Sequence, residues 1–90
     1  MRRSFPKVLG ALPELFNFLD GFVDAHRLDE PTRYALRLAV EELFTNMVKY
    51  RSGMGKEVAV DLEVVVDELR VELIERDVEL NIEDLVFRGS

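Results

Sequence analysis

Residues 57–76, EVAVDLEVVVDELRVELIER, contain two runs in which apolar and more polar side chains alternate. The apolar positions are Val58, Val60, Leu62, Val64 and Val66, followed by Leu69, Val71 and Leu73. Side chains of a strand point alternately to its two faces, so the stretch predicts a β-hairpin with one buried face, turning at Asp67-Glu68. Asp-Glu is not a favoured two-residue turn, so a longer loop is an alternative. In a tight register Glu63 would lie opposite Glu72, a like-charge pair that disfavours that register.

Two helices are predicted before the hairpin. The first begins at Leu12, with Pro13 in its first turn, and repeats apolar side chains at three- and four-residue spacing. The second begins in LDEPT, where Asp29 can accept hydrogen bonds from free N–H groups, and runs to about Tyr50. Most of its apolar surface comes from Leu36, Val40, Leu43, Phe44, Met47 and Val48.

The sequence pattern is less decisive at the two ends of the chain. SFPKV, residues 4–8, is apolar but contains Pro6, so a strand there belongs at the edge or start of a sheet. Residues 77–90 fit a further strand, a short helix or a docked extension. Helix, helix and hairpin together predict an α+β fold in which two helices pack on one face of a small antiparallel sheet, with residues 1–90 forming a single domain.

The composition excludes several classes of function. A net charge of −6 argues against nucleic acid or an anionic membrane as the partner, because both select for clustered Lys and Arg. The absence of cysteine removes disulfides and thiolate metal sites, and fits the reducing cytoplasm. With no apolar run long enough for a signal peptide or a membrane span, we expect a cytoplasmic protein. Arg2, Arg3 and Lys7 form a small basic start that is expected to be solvated.

A polar pair interrupts the second helix. In VEELFTNMVKY, residues 40–50, Glu42 precedes Asn46 by four positions, and Lys49 follows on the same flank. One interpretation is a pocket in which Asn46 offers an oxygen to Mg²⁺ and Glu42 acts on a water or hydroxyl. The other is a solvent-facing flank beside the apolar stripe, which spacing alone favours.

Residues 5–75 resemble the amino-terminal part of the anti-sigma-factor serine-protein kinases, small relatives of the histidine-kinase-type ATPases with the Bergerat fold. The most specific stretch is LRLAVEELFTNMVKY, residues 36–50, which is similar to the first ATP-site motif of that family. The resemblance implies that Glu42 is the catalytic base, Asn46 the Mg²⁺ ligand and Lys49 a residue near the phosphates of ATP. Tyr50 stands where the family commonly has His.

The second family motif is Asp-x-Gly, in which the Asp accepts a hydrogen bond from the adenine amino group. By the resemblance Glu75 takes the Asp position and Asp77 the Gly position, where a Cβ would crowd the adenine. Glu75 also continues the buried face of Leu69, Val71 and Leu73, so a carboxylate there needs a partner or the open end of the sheet. The alternative is that the strand frays before Glu75.

The resemblance suggests two functions. The Gly-rich lid and later strands of the family would be missing, so we expect a shortened domain without full ATPase or kinase activity that binds a protein partner, a sigma factor or an antagonist. We expect it also to form a homodimer, since a short sheet leaves an exposed edge. The alternative is an active serine-protein kinase that uses ATP and Mg²⁺.

Overall fold

The computed structural model describes residues 1–50, 56–75 and 82–88. Two α-helices and a four-stranded antiparallel sheet form the fold, which confirms the predicted α+β class. A short 3₁₀ turn, Leu9–Ala11, leads into the first helix. The elements in chain order are β1 (Arg2–Pro6), α1 (Leu12–Ala25), α2 (Glu30–Tyr50), β2 (Glu57–Val65), β3 (Glu68–Glu75) and β4 (Ile82–Arg88).

The strands are arranged in the order β1-β2-β3-β4, and each neighbouring pair is antiparallel. The uncertain strand at the start of the chain exists and lies at a sheet edge, where the missing N–H of Pro6 is tolerated. The ambiguous tail contributes a strand at the opposite edge, with Leu69 opposite Phe87. Both edges of this sheet are therefore formed by segments whose secondary structure the sequence pattern did not decide.

The predicted hairpin is confirmed, but its turn lies one residue earlier than predicted. Val65 pairs with Glu68, so the two-residue loop is Val66-Asp67. Glu63 then lies opposite Arg70 and not opposite Glu72, which replaces the expected like-charge pair by an opposite-charge pair. Val66 leaves the buried apolar series and is 88% exposed.

Val66 has φ 54°, the left-handed region that a β-branched residue rarely adopts. Its Cβ costs of order 1–2 kcal/mol in that conformation, and exposure leaves little packing to lose. We expect Val66→Gly to raise the free energy of unfolding by about 1 kcal/mol, after allowance for the greater freedom of an unfolded glycine. For a domain of this size, the melting temperature should rise by about 4–8 °C.

Val66→Ala is the control for this substitution, because alanine removes the branch but keeps the Cβ. Chemical denaturation of both variants should show a clearly larger gain for glycine than for alanine. Equal stability of the glycine variant and the parent protein would contradict strain at this turn.

Helix α1 ends in a Schellman motif, the common way to satisfy the last carbonyl groups of a helix. The Arg27 N–H donates to the Asp24 carbonyl at 3.2 Å, and the Leu28 N–H donates to the Val23 carbonyl at 3.0 Å. Arg27 has φ 52°, and Leu28 packs against the core. The motif reverses the chain between α1 and α2.

Helix α2 begins where the sequence predicts. Asp29 Oδ1 accepts from the Thr32 N–H at 2.9 Å, as an N-cap does. Hydrogen bonds from the Thr32 side chain and backbone hold the pKa of Asp29 below its usual value, so this carboxylate stays ionised at neutral pH.

The core lies between the two helices and one face of the sheet. Its helical side includes Leu15, Leu19, Phe22, Leu36, Val40 and Phe44, and its sheet side includes Phe5, Val58, Val60, Leu62, Val71 and Leu73. The opposite face of the sheet is polar, with Arg2 of β1 lying 3.2 Å from Asp61 and 3.9 Å from Glu72. By strict alternation Ala59 belongs to that opposite face, yet it is buried.

Candidate functional site

The polar flank of α2 is exposed. Core packing by Leu36, Val40, Phe44 and Met47 sets the rotation of the helix. Glu42 lies two residues after Val40, a rotation of about 200°, so it points away from the packed side. Glu42, Asn46 and Lys49 are all exposed. This exposure agrees with the solvent-facing interpretation, and a pocket beside Glu42 and Asn46 stays a prediction.

Glu75 ends β3 at the edge of the core and is fully buried there. Its Oε1 accepts a hydrogen bond from Lys7 Nζ at 2.9 Å, and the exposed fractions of the two side chains are 0% and 3%. Of the two alternatives for this position, the structure has the buried carboxylate with a partner, and β3 continues through Glu75 without fraying. The partner that such a carboxylate needs is a lysine 68 residues away in the sequence.

Lys7 is the residue beside Glu75 that the sequence pattern did not indicate. It directly follows β1, and its N–H donates to the Lys56 carbonyl at 2.9 Å, which extends the pairing of β1 with β2. The pairing brings Lys7 beside the strand end that carries Glu75, since Val58 of β2 lies opposite Glu75. The expectation that the basic start is solvated is therefore wrong for Lys7. The signal available in the sequence was the carboxylate at a buried position, for which a cation is one of the possible partners.

The other basic residues of the start make exposed contacts. Arg3 lies 3.4 Å from Glu14 of α1, and its guanidinium lies 5.1 Å from the ring centroid of Phe5. Exposed ion pairs of this kind stabilise a fold by less than about 1 kcal/mol. Asp77, predicted to lie near the adenine, is outside the described residues.

Arg33 joins the two helices from the first turns of α2. Its guanidinium contacts Asp24 and lies 3.2 Å from Asp20 of α1, while Glu30 lies 3.1 Å away on its own helix. Hydrogen bonds to Asp24 and Asp20 hold the pKa of Arg33 above its usual value. Arg33 thus remains a cation whose role is to hold α1 against α2.

Two cavities lie away from Glu42 and Asn46. The first, of about 350 Å³, runs along the exposed side of α2 beside Tyr34 and Leu38. The second, of about 330 Å³, lies between the start of α2 and the hairpin turn. We call the second cavity the turn cleft; its lining residues are Arg27, Leu28, Asp29, Thr32, Val64, Val66, Asp67, Glu68, Leu69 and Phe87.

Within the described part of the chain, no group of three or more acidic or histidine side chains could hold a metal ion. Neither described helix has the length and apolar content of a membrane span. Comparisons of the chain with protein-family models, curated proteins and solved structures found no significant match. Kinship with the anti-sigma-factor kinases therefore stays a prediction from residues 5–75.

Proposed function

We propose that this chain is a cytoplasmic regulatory module of the anti-sigma-factor kinase type, which acts by binding a protein and lacks full ATPase or kinase activity. Its partner would be a sigma factor or an antagonist protein, and the module would also form a homodimer. The net charge of −6 supports a protein partner over nucleic acid. The strands β1 and β4 at the sheet edges support pairing with a second chain.

The observation that carries the proposal is the ion pair between Lys7 and Glu75. By the resemblance, the Glu75 carboxylate would have to accept a hydrogen bond from adenine. Both side chains are buried, and Lys7 lies at hydrogen-bond distance from Glu75, so recruitment of that carboxylate by a nucleotide would disturb a buried ion pair. Breaking such a pair is costly, since it leaves a charge in a medium of low polarity. The burial of this ion pair therefore supports a module that does not use Glu75 to bind adenine.

One observation favours the alternative, an active kinase using ATP and Mg²⁺. Glu42 and Asn46 lie one turn apart on the same long helix, and both are accessible to a ligand. In that case Asn46 would hold the Mg²⁺ and Glu42 would accept a proton from the substrate hydroxyl. Of the remaining predicted residues, Lys49 is exposed near the end of α2.

Thermal unfolding of the full chain with millimolar Mg²⁺ and ATP separates the two functions. A ligand at about 100 times its Kd stabilises the folded state by about 2.7 kcal/mol, an effect that raises the melting temperature. We expect no rise. Sedimentation at tens of micromolar protein, run on the same samples, tests the homodimer.

A rise in melting temperature would overturn the proposal in favour of the kinase. That rise should then disappear in Asn46→Ala, which removes the Mg²⁺ ligand, while Glu41→Gln should keep it. Glu42→Gln should also keep the rise but lose phosphoryl transfer, because a general base acts in the reaction and not in binding. Glu41 is a matched control because it is an exposed acid on the same turn of α2.

A further inference from the structure

The edge of the sheet formed by β4 is open to pairing. Within residues 1–50, 56–75 and 82–88, β4 pairs with β3 on one side and no strand lies on its other side. Alternate residues of an antiparallel strand direct their N–H and C=O groups to each neighbour, so about half of the backbone groups of β4 face away from β3. β4 contains no proline. Its outer side can therefore form a regular ladder with another strand.

The edge formed by β1 is protected against such pairing. Pro6 has no N–H to donate, and Arg2 and Arg3 are exposed on the same strand. Proline and charged side chains are features that keep the edges of natural sheets from pairing with other chains. Of the two edges, β4 is therefore the one that favours a partner strand.

Two apolar side chains of β4 are incompletely covered, one on each face of the sheet. Val86 lies opposite Arg70 on the polar face and is 50% exposed. Phe87 lies opposite Leu69 on the core face, where it packs against the core but is only partly buried. A neighbouring strand brings side chains beside both faces of the strand that it pairs with. One further strand next to β4 would thus cover Val86 and Phe87 together.

The sequence of β4, IEDLVFR, is complementary to itself in the antiparallel direction. Asp84 lies two residues before Val86 and Arg88 two residues after it, so all three belong to one face of the strand. If Val86 lies opposite Val86 of a second copy, Asp84 lies opposite Arg88 of that copy, and Arg88 opposite its Asp84. In the same register Leu85 lies opposite Phe87 of the second copy. Opposite charges and apolar residues are thus matched along the whole contact.

Neighbouring registers lack this match. A centre at Asp84 puts this residue opposite its own copy, a like-charge pair that destabilises the contact. A centre at Leu85 puts Glu83 opposite Phe87 and leaves Asp84 opposite Val86. The charges of β4 therefore select the register centred on Val86.

The pairing within the chain also favours a cation beside Asp84. In the β3–β4 ladder Asp84 lies opposite Glu72, a like-charge pair, and Arg88 lies opposite Glu68. Arg88 of a second copy would bring a positive charge next to Asp84 on its outer side. A guanidinium has five N–H donors, so one arginine can contact carboxylates on two neighbouring strands.

We propose that a second copy of this chain binds along β4, antiparallel and centred on Val86, and joins the two four-stranded sheets into one continuous sheet. Opposite residues of an antiparallel pair point to the same face, so the helices of both copies lie on one side of the joined sheet. The contact is closed, because both copies use the same edge and the protected β1 edges lie at the two ends. This inference rests on the proposed homodimer and specifies its interface.

The test uses two full-length charge-reversal variants, Asp84→Arg and Arg88→Glu, studied by sedimentation velocity from micromolar to hundreds of micromolar protein. Each variant alone puts like charges opposite each other at two symmetric positions, and we expect its dimer dissociation constant to rise by about tenfold or more. An equal mixture of the two variants restores opposite charges at both positions. We expect the mixture to dimerise as strongly as the parent chain.

The mixture separates a contact between copies from damage to the fold. A substitution that unfolds its own chain is not repaired by adding another variant, so recovery in the mixture reports pairing between β4 strands. Arg3→Glu is the matched control, since it makes the same charge change at an exposed position of β1. We expect it to leave the dimer unchanged.

A dimer that persists in both β4 variants would overturn this interface and leave the proposed homodimer standing. Failure of the mixture to recover the dimer, or loss of the dimer in Arg3→Glu, would also overturn it. A parent chain that is monomeric at every concentration would contradict both the interface and the homodimer. The Mg²⁺ and ATP experiment is independent, since a chain that binds ATP and pairs through β4 loses the proposed function but keeps this contact.

Discussion

Lys7→Met should lower the free energy of unfolding by about 3–5 kcal/mol, because it removes the ammonium group 2.9 Å from a fully buried carboxylate. Methionine has a similar length and keeps the apolar stem of lysine, so lost packing contributes little. In a domain of this size such a loss is a large fraction of the total stability. Urea denaturation followed by circular dichroism measures it directly.

The matched control for Lys7→Met is Arg3→Met, which breaks the exposed contact with Glu14. That variant should lose less than about 1 kcal/mol. The double variant Lys7→Met/Glu75→Leu removes both buried charges, and we expect it to recover most of the lost stability. A loss of less than about 1 kcal/mol in Lys7→Met would show that the Glu75 carboxylate does not depend on this lysine.

Phe44→Ala should cost about 3–5 kcal/mol, since it deletes a fully buried ring from the middle of α2 and leaves a cavity. Phe44 lies between Glu42 and Asn46 in the sequence, yet it points into the core while they point outward. Glu42→Gln and Asn46→Ala should therefore stay within about 0.5 kcal/mol of the parent protein.

Thermal or urea unfolding of these three variants measures their stability, and the differences test which side of α2 faces the core. A large loss of stability in Asn46→Ala, comparable with that in Phe44→Ala, would mean that the amide is packed or hydrogen-bonded inside the fold. The proposed exposure of the polar flank would then be wrong.

The sequence predicted much of the fold because its apolar spacing is regular. Apolar side chains recur at helical spacing in α2 and alternate in β3, so each element has one apolar side that packs in the core. Leu36, Val40, Leu69 and Val71 are buried there, as expected. The turn was placed one residue late because Val66 is apolar and continues the alternation. Pairing of Glu63 with Arg70 comes from the register, which depends on both strands together and not on either alternation alone.

The candidate site was harder to predict from the sequence. Spacing placed Glu42 and Asn46 on one flank but did not decide what lies beside that flank. The pairing of Lys7 with Glu75 depends on the position of β1 next to β2, and a short segment containing proline indicates that position only weakly. The turn cleft likewise combines residues of four elements, α2, β2, β3 and β4, with residues of the helix connection and the hairpin turn. No local sequence pattern brings these residues together.

The pairing of β1 with β2 also bears on how the chain is made. Arg2 and its strand partner Asp61 are 59 residues apart, and Lys7 is 68 residues from Glu75. On the ribosome, at about 5–20 residues per second, β1 would wait several seconds for β2 to be synthesised. Both helices can form in that interval from local contacts. β1 would then dock only after both helices have been made, and a nascent chain stalled before residue 57 would leave it without its neighbour.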